Sequence, residues 1–157
     1  MSTPQSILRS SMRSMHDLLD KAVEGMTAEQ LNFRPQEGGV SGFFSLWHYV
    51  RTEDNIIIFG LPRTSQGTGM SAEEANAVRI EDVGLWREYQ QKVWAATDVY
   101  LGAMSPEEFD QRQVTIKPLG PMSLWNGIYG VCLSHGYRHV GEIEYVRGVQ
   151  GLGGLTI

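Results

Sequence analysis

The chain has 157 residues, 41% hydrophobic and 20% charged, which places it with ordinary globular domains rather than disordered tails and predicts one domain over residues 1–157. A formal net charge of -5 with no basic run argues against a nucleic-acid partner, because phosphate binding needs a surplus of Lys and Arg on one surface. Cys132 is the single cysteine, so an intramolecular disulfide is excluded, and no apolar run approaches the roughly 18–20 residues of a membrane span.

The N-terminal segment lacks the apolar core of a secretory signal and predicts a cytoplasmic protein. It reads instead as a first helix, from about Thr3 to Glu24. Ile7, Leu8, Ser11, Met12, Met15, Leu18, Leu19 and Val23 recur there at three- and four-residue steps, and Gly25 stops it. Thr27 and Gln30 have capping-box spacing for a short piece that Arg34-Pro35 and Gly38-Gly39 break. A second long helix opens at Ser41 and is expected to reach Gly60. Its His48 face carries Ser41, Phe44, Ser45, Thr52, Asn55 and Phe59, and the neighbouring face Phe43, Leu46, Trp47, Val50 and Ile57. A helix apolar over so much of its circumference is buried on more than one side.

Leu61 to Met70 is a loop by its Pro, Gly, Ser and Thr content, and the S-A-E-E at Ser71 starts a short helical turn. The third long helix is expected from Asp82 to Met104, with Leu85, Trp86, Tyr89, Val93, Ala96, Val99 and Tyr100 as its stripe. S-P-E-E at Ser105 combines an N-cap, Pro at the first helical position and a capping-box Glu. The stretch Q-V-T-I-K-P-L-G-P that follows is extended, without a convincing sheet. Ser123 caps the last helix, which runs to about Gly148 and spans roughly 36 Å at the α-helical rise. Four long helices and no sheet imply a four-helix bundle.

On the last helix Ile128, Cys132, His135, His139, Glu142 and Val146 make one stripe. His135 and His139 lie one turn apart, so both imidazoles reach one point, and His48 can supply a third nitrogen from across the core. Three imidazoles from two helices suit a divalent metal with open coordination positions. On the residues alone a second reading stands beside it, in which these histidines only hydrogen-bond their neighbours. His16, one residue from the stripe position Met15, reads as a surface or packing histidine. Cys132 lies three residues before His135, a spacing open to a Cys–His nucleophile, though a lone helical cysteine is usually a small buried hydrophobe. Neither a P-loop, a dinucleotide fingerprint, HExxH nor CxxC is present.

The stretch from Leu31 to Asn55, L-N-F-R-P-Q-E-G-G-V-S-G-F-F-S-L-W-H-Y-V-R-T-E-D-N, resembles the opening motif of the DinB/YfiT-like family. The segment H-G-Y-R-H-V-G-E-I-E-Y-V-R-G, from His135 to Gly148, resembles that family's ending. The resemblance implies an all-α, up-down-down-up four-helix bundle found as homodimers, holding nickel or zinc on three histidines, which by motif match are His48, His135 and His139. Glu142 stands where many members have Gln, and is the candidate for orienting a ligand or shuttling a proton. Two functions are compatible with this pattern. One is a metal-dependent S-transferase or isomerase that uses a low-molecular-weight thiol on small electrophiles; the other is a non-catalytic metal- or ligand-binding stress-response module. The patterned faces of the second helix also predict a homodimer, since Trp47, Phe43 and Ile57 do not all fit one small core.

Overall fold

The computed structural model describes residues 3–37, 39–54, 72–116 and 119–154. Helix α1 (Pro4–Val23) begins where the Thr3 side chain accepts from the Ser6 N–H, and it ends before Gly25, whose φ of 72° suits glycine. The short α2 (Ala28–Asn32) starts with the full Thr27/Gln30 capping box. Helix α3 (Gly42–Glu53) is capped by Ser41, and α4 (Ala72–Ala77) is the short turn expected after Ser71. Helix α5 (Val83–Ala103) is capped by Asp82, and α6 (Pro106–Gln111) by Ser105 with its Glu108 partner. The helical expectation for 55–60 and the loop expectation for 61–70 lie outside the described residues.

Two corrections concern the second half. Gln113–Ile116 (β1) and Gly120–Ser123 (β2) form a two-stranded antiparallel hairpin with Thr115 opposite Pro121, where an extended segment without pairing was expected. A two-stranded ribbon is all edge, so Pro121 removes a donor without breaking a central ladder. The last helix is not uniform either. α7 (Leu124–Asn126), capped by Ser123, passes into a π-helical stretch, Gly127–Leu133, and then into α8 (Ser134–Val149).

The described residues are all-α apart from that hairpin. Helices α1 and α3 each pack against both α5 and α8. Leu8, Met12, Met15 and Leu19 of α1, Leu46, Tyr49 and Val50 of α3, and Ile128, Cys132 and Ile143 of the C-terminal helix belong to one buried core. Each such aliphatic side chain contributes roughly 1.5–3 kcal/mol when fully buried. Of the expected α5 stripe, Val93 is buried and Trp86, Tyr89 and Tyr100 pack partly buried against the core, whereas Leu85 and Val99 are exposed and Gln90, Trp94, Thr97 and Leu101 also face inward. Phe43 sits in the core, edge-on to Trp86 with ring centroids 5.0 Å apart, so the case for an interface on α3 no longer includes it.

Close helix packing depends on Gly136. A Cβ there would come within 2.9 Å of Met15 Cε and 3.0 Å of its Cγ, and Met15 is fully buried. Gly136→Ala is therefore expected to destabilise the fold by about 1–3 kcal/mol, the usual cost of overpacking, less the small helical advantage of Ala. Urea unfolding checks this; a variant as stable as the parent would mean α1 and α8 separate freely at that point.

Candidate metal centre

His48 lies in the middle of α3, and His135 and His139 in the first two turns of α8, helices that pack extensively against each other. The structure brings all three together. One ligand atom from each lies within 4.8 Å of the others, and Nε2 of His135 and Nε2 of His139 are 2.8 Å apart. The ring centroids of His48 stand 5.0 Å from His135 and 5.3 Å from His139, both edge-on.

His139 is 2% exposed, and its Nδ1 is 2.6 Å from Glu142 Oε2. The same oxygen accepts from Ser45 Oγ at 2.8 Å, and Oε1 accepts from Arg138 Nε at 3.2 Å. The bond to His139 is the main cause that holds the Glu142 carboxyl down at about 2, so it is ionised at neutral pH. An ionised carboxylate only accepts, so Nδ1 of His139 carries the hydrogen and Nε2 presents its lone pair to the other two imidazoles.

Burial pushes the His48 imidazole below its ordinary value, with the His139 charge adding to the effect. Burial, then His139 and His48, push His135 down to about 4. Both rings are thus neutral at pH 7, the form that binds a metal. Nδ1 of His135 is buried without a hydrogen-bond partner among the described residues. Such an arrangement fits a divalent ion. Ligand nitrogens about 2.0–2.1 Å from a shared ion stand roughly 3 Å apart, close to the separation of the two Nε2 atoms.

Around the triad, Phe44 stacks parallel to His48 with centroids 6.0 Å apart, and the Tyr49 ring lies 6.4 Å from both His135 and His139. Thr52 donates to the His48 carbonyl at 2.8 Å, while Asn55, read on the same face, lies outside the described residues. Cys132 is fully buried, and burial pushes its thiol well up, which removes the thiolate a Cys–His nucleophile needs.

His16 is corrected. It is buried, its Nε2 is 2.8 Å from Glu53 Oε2, and its ring stacks on Trp94 at 4.4 Å. Glu53, fully buried, also accepts from Thr97 Oγ1 at 2.5 Å. This pair went unread although a signal was there: Leu46, Val50 and Glu53 follow one another at helical steps, so the carboxylate interrupts an apolar stripe.

The family model described as the DinB superfamily matches residues 12–143. The chain belongs to the DinB superfamily. The match takes in all three histidines and Glu142. Among solved structures, this DinB-superfamily chain is similar to one titled as the conserved protein of a locus from Enterococcus faecalis. The TM-score is 0.76 at 19% identity, over 96% of this chain and 99% of that one, a likeness of fold. No curated protein matches. Among the described residues of this DinB-superfamily protein, no helix is long and apolar enough to cross a membrane.

The depressed imidazoles make a prediction for the metal-free protein. An unfolded histidine takes up its proton near pH 6.5, whereas folded His135 does so only near 4. Across that window the unfolded chain binds more protons, so stability falls as pH drops from about 6.5 to about 4. Glu142, whose pKa is depressed, adds a second loss as pH falls below its ordinary range toward 2. Urea midpoints between pH 7 and 4 should decline, and His135→Asn should flatten the slope. An identical slope in that variant would remove His135 as a cause.

Proposed function

We propose that this protein is a divalent-metal-dependent enzyme built as an up-down-down-up four-helix bundle in one domain. His48, His135 and His139 are its ligands for nickel or zinc. The observation that carries this reading is the convergence of the three imidazole nitrogens within 4.8 Å. A bound ion supplies Lewis acidity in its open positions, lowering the pKa of a coordinated thiol or water. That chemistry suits an S-transferase or isomerase that joins a low-molecular-weight thiol to a small electrophile.

The chain's own residues prepare the site. His48 and His135 are held neutral by burial, so their lone pairs are available at neutral pH. Glu142 orients His139 through Nδ1, and Ser45 and Arg138 fix the carboxylate in turn. With a pKa near 2 that carboxylate is a weak base, which supports the orienting role over proton shuttling. Glu142→Gln should therefore weaken metal affinity about 10- to 100-fold, as loss of an outer partner does, while leaving the fold intact. Calorimetric titration with zinc measures it; unaltered affinity would show that His139 needs no brace.

A homodimer is part of the proposal. It is supported by Tyr137, Tyr145 and Val149, large apolar side chains that α8 leaves exposed. Sedimentation giving only a 17.6 kDa species would remove it. Elemental analysis of protein purified without a histidine tag tests the reading as a whole. Stoichiometric metal together with thiol conjugation or isomerisation supports the enzyme; stoichiometric metal with neither activity favours a binding module. Absence of metal, with no rebinding of nickel or zinc, overturns the enzyme and favours a module that binds a ligand without metal.

A further inference from the structure

A cavity of about 170 Å³ lies between α1 and α5, and it shares no lining residue with the histidine triad. At about 30 Å³ per water it has room for roughly five or six non-hydrogen atoms. Trp94, Asp98 and Leu101 line it from one face of α5, and Arg9, Met12 and Arg13 from the facing side of α1. Trp94 is 6% exposed, and its ring stacks on His16. Its indole N–H is buried with no acceptor among the described residues. A buried donor left unmatched is costly, so this group calls for an acceptor.

The charges differ between the two ends of the cavity. Arg9 and Arg13 each make two hydrogen bonds to Asp98, between 2.6 and 2.7 Å, so two guanidiniums share one carboxylate. The charges that act on Arg13 are those of Asp98 and Arg9, which leaves this end one cation in surplus. Each guanidinium keeps N–H groups outside those bonds. Glycine at 102 lets the Arg9 guanidinium lie against α5, since a Cβ there would come within 3.0 Å of its Cζ. One to two turns further along α1 the balance reverses. Asp17 and Asp20 line that end, and Arg87 acts on Asp20. Asp17 is exposed to water, and both Asp20 oxygens already accept, from Gln90 at 2.9 Å and Gln91 at 3.1 Å. The acceptors at the acidic end are thus served, whereas the donor on Trp94 is not.

We propose that this cavity binds a short-chain monocarboxylate at its arginine end, in a site separate from the metal centre. One carboxylate oxygen would accept from the Trp94 indole N–H, and the other from the remaining N–H groups of Arg9 or Arg13. The alkyl chain would lie along Met12 and Leu101, both buried. Neither polar contact depends on how His16 and Glu53 share a proton. An ammonium ion of the same size would meet the surplus cation and leave the indole N–H unmatched.

The test titrates sodium butyrate into the metal-loaded and the metal-stripped protein, at an ionic strength held constant with sodium chloride. NMR follows the Trp94 indole N–H, assigned by its proximity to the His16 ring, and n-butylammonium chloride is the matched cation. A saturable shift in the millimolar range, the same with and without metal and absent with butylammonium, supports the site. Arg13→Gln removes the surplus charge but leaves Arg9 on Asp98. It should weaken binding about three- to tenfold, the range for a partly exposed charge-assisted contact. Trp94→Phe, read at the His16 ring resonances, should weaken it by a similar factor; if that variant does not fold, Arg13→Gln decides alone. A shift that grows linearly without saturating, that butylammonium reproduces, that appears only with metal, or that keeps its parental affinity in Arg13→Gln would overturn the proposal.

Discussion

Replacing His139 by Ala is expected to lower divalent-metal affinity by more than about 100-fold, beyond the upper end of what losing an outer partner costs. His139 is the most buried of the three histidines, and its Nε2 faces His135 at 2.8 Å. Its removal takes away one of three nitrogens and releases the Glu142 carboxylate from its main partner. His16→Ala is the matched control. It also removes a buried imidazole from the bundle, but one that belongs to Glu53. Metal affinity should be unchanged in that variant even as its stability falls. Calorimetry with zinc or nickel at pH 7.5 reads both. Equal losses in the two variants would show that the assigned ligand set is wrong.

Glu53→Ala is expected to have the largest effect on folding. Glu53 is fully buried and serves donors from two other helices, His16 of α1 and Thr97 of α5. Removing the carboxylate leaves both without a partner, and breaking a buried pair from one side costs about 3–5 kcal/mol. In a domain of this size each kcal/mol moves Tm by roughly 2–4 °C, so a fall of about 6–20 °C is expected. Glu53→Gln keeps an acceptor of nearly the same shape and should lose less. Thermal unfolding of both variants decides the matter. A Glu53→Ala protein that melts with the parent would mean the pair contributes nothing net to the fold.

The helix starts were legible because capping is local chemistry. Thr3, Thr27, Ser41, Asp82, Ser105 and Ser123 all accept from a backbone N–H three residues on; Thr27, Ser105 and Ser123 are the caps their sequence signals suggested, and the other three stand at the expected helix starts. The triad was legible for a related reason: the four-residue step between His135 and His139 survives in any helix, and His48 stands on a separate helical segment that the family resemblance matched as well. Non-local features were not. The bond from His16 to Glu53 crosses 37 residues of sequence and depends on how α1 sits against α3. The inward face of α5 was legible at Trp86, Tyr89, Val93 and Tyr100 but not at its edges, where Gln90 and Thr97 turn in to bond Asp20 and Glu53 while Leu85 and Val99 are exposed. The hairpin escaped notice because strands of four residues joined through Lys117-Pro118 and containing Pro121 lack the alternation of a half-buried strand.

The π-helical stretch from Gly127 to Leu133 joins the two ends of the C-terminal helix. A π turn is an α-helix with surplus chain, each bond reaching five residues instead of four. Deleting one residue from the stretch gives the segment a route back to ordinary α-helix. A wider turn advances less per residue, so seven residues of it carry the chain about as far round the axis as six of an α-helix, and the histidines and the hairpin side would keep their angular relation. Leu124, whose N–H bonds the Arg112 carbonyl at 2.7 Å, ties the helix start to α6 and would hold that end in place. The stretch thus works like slack in a rope, taking up length without turning what it joins. Descendants of this sequence can lose one residue there without swinging the histidines away from α3.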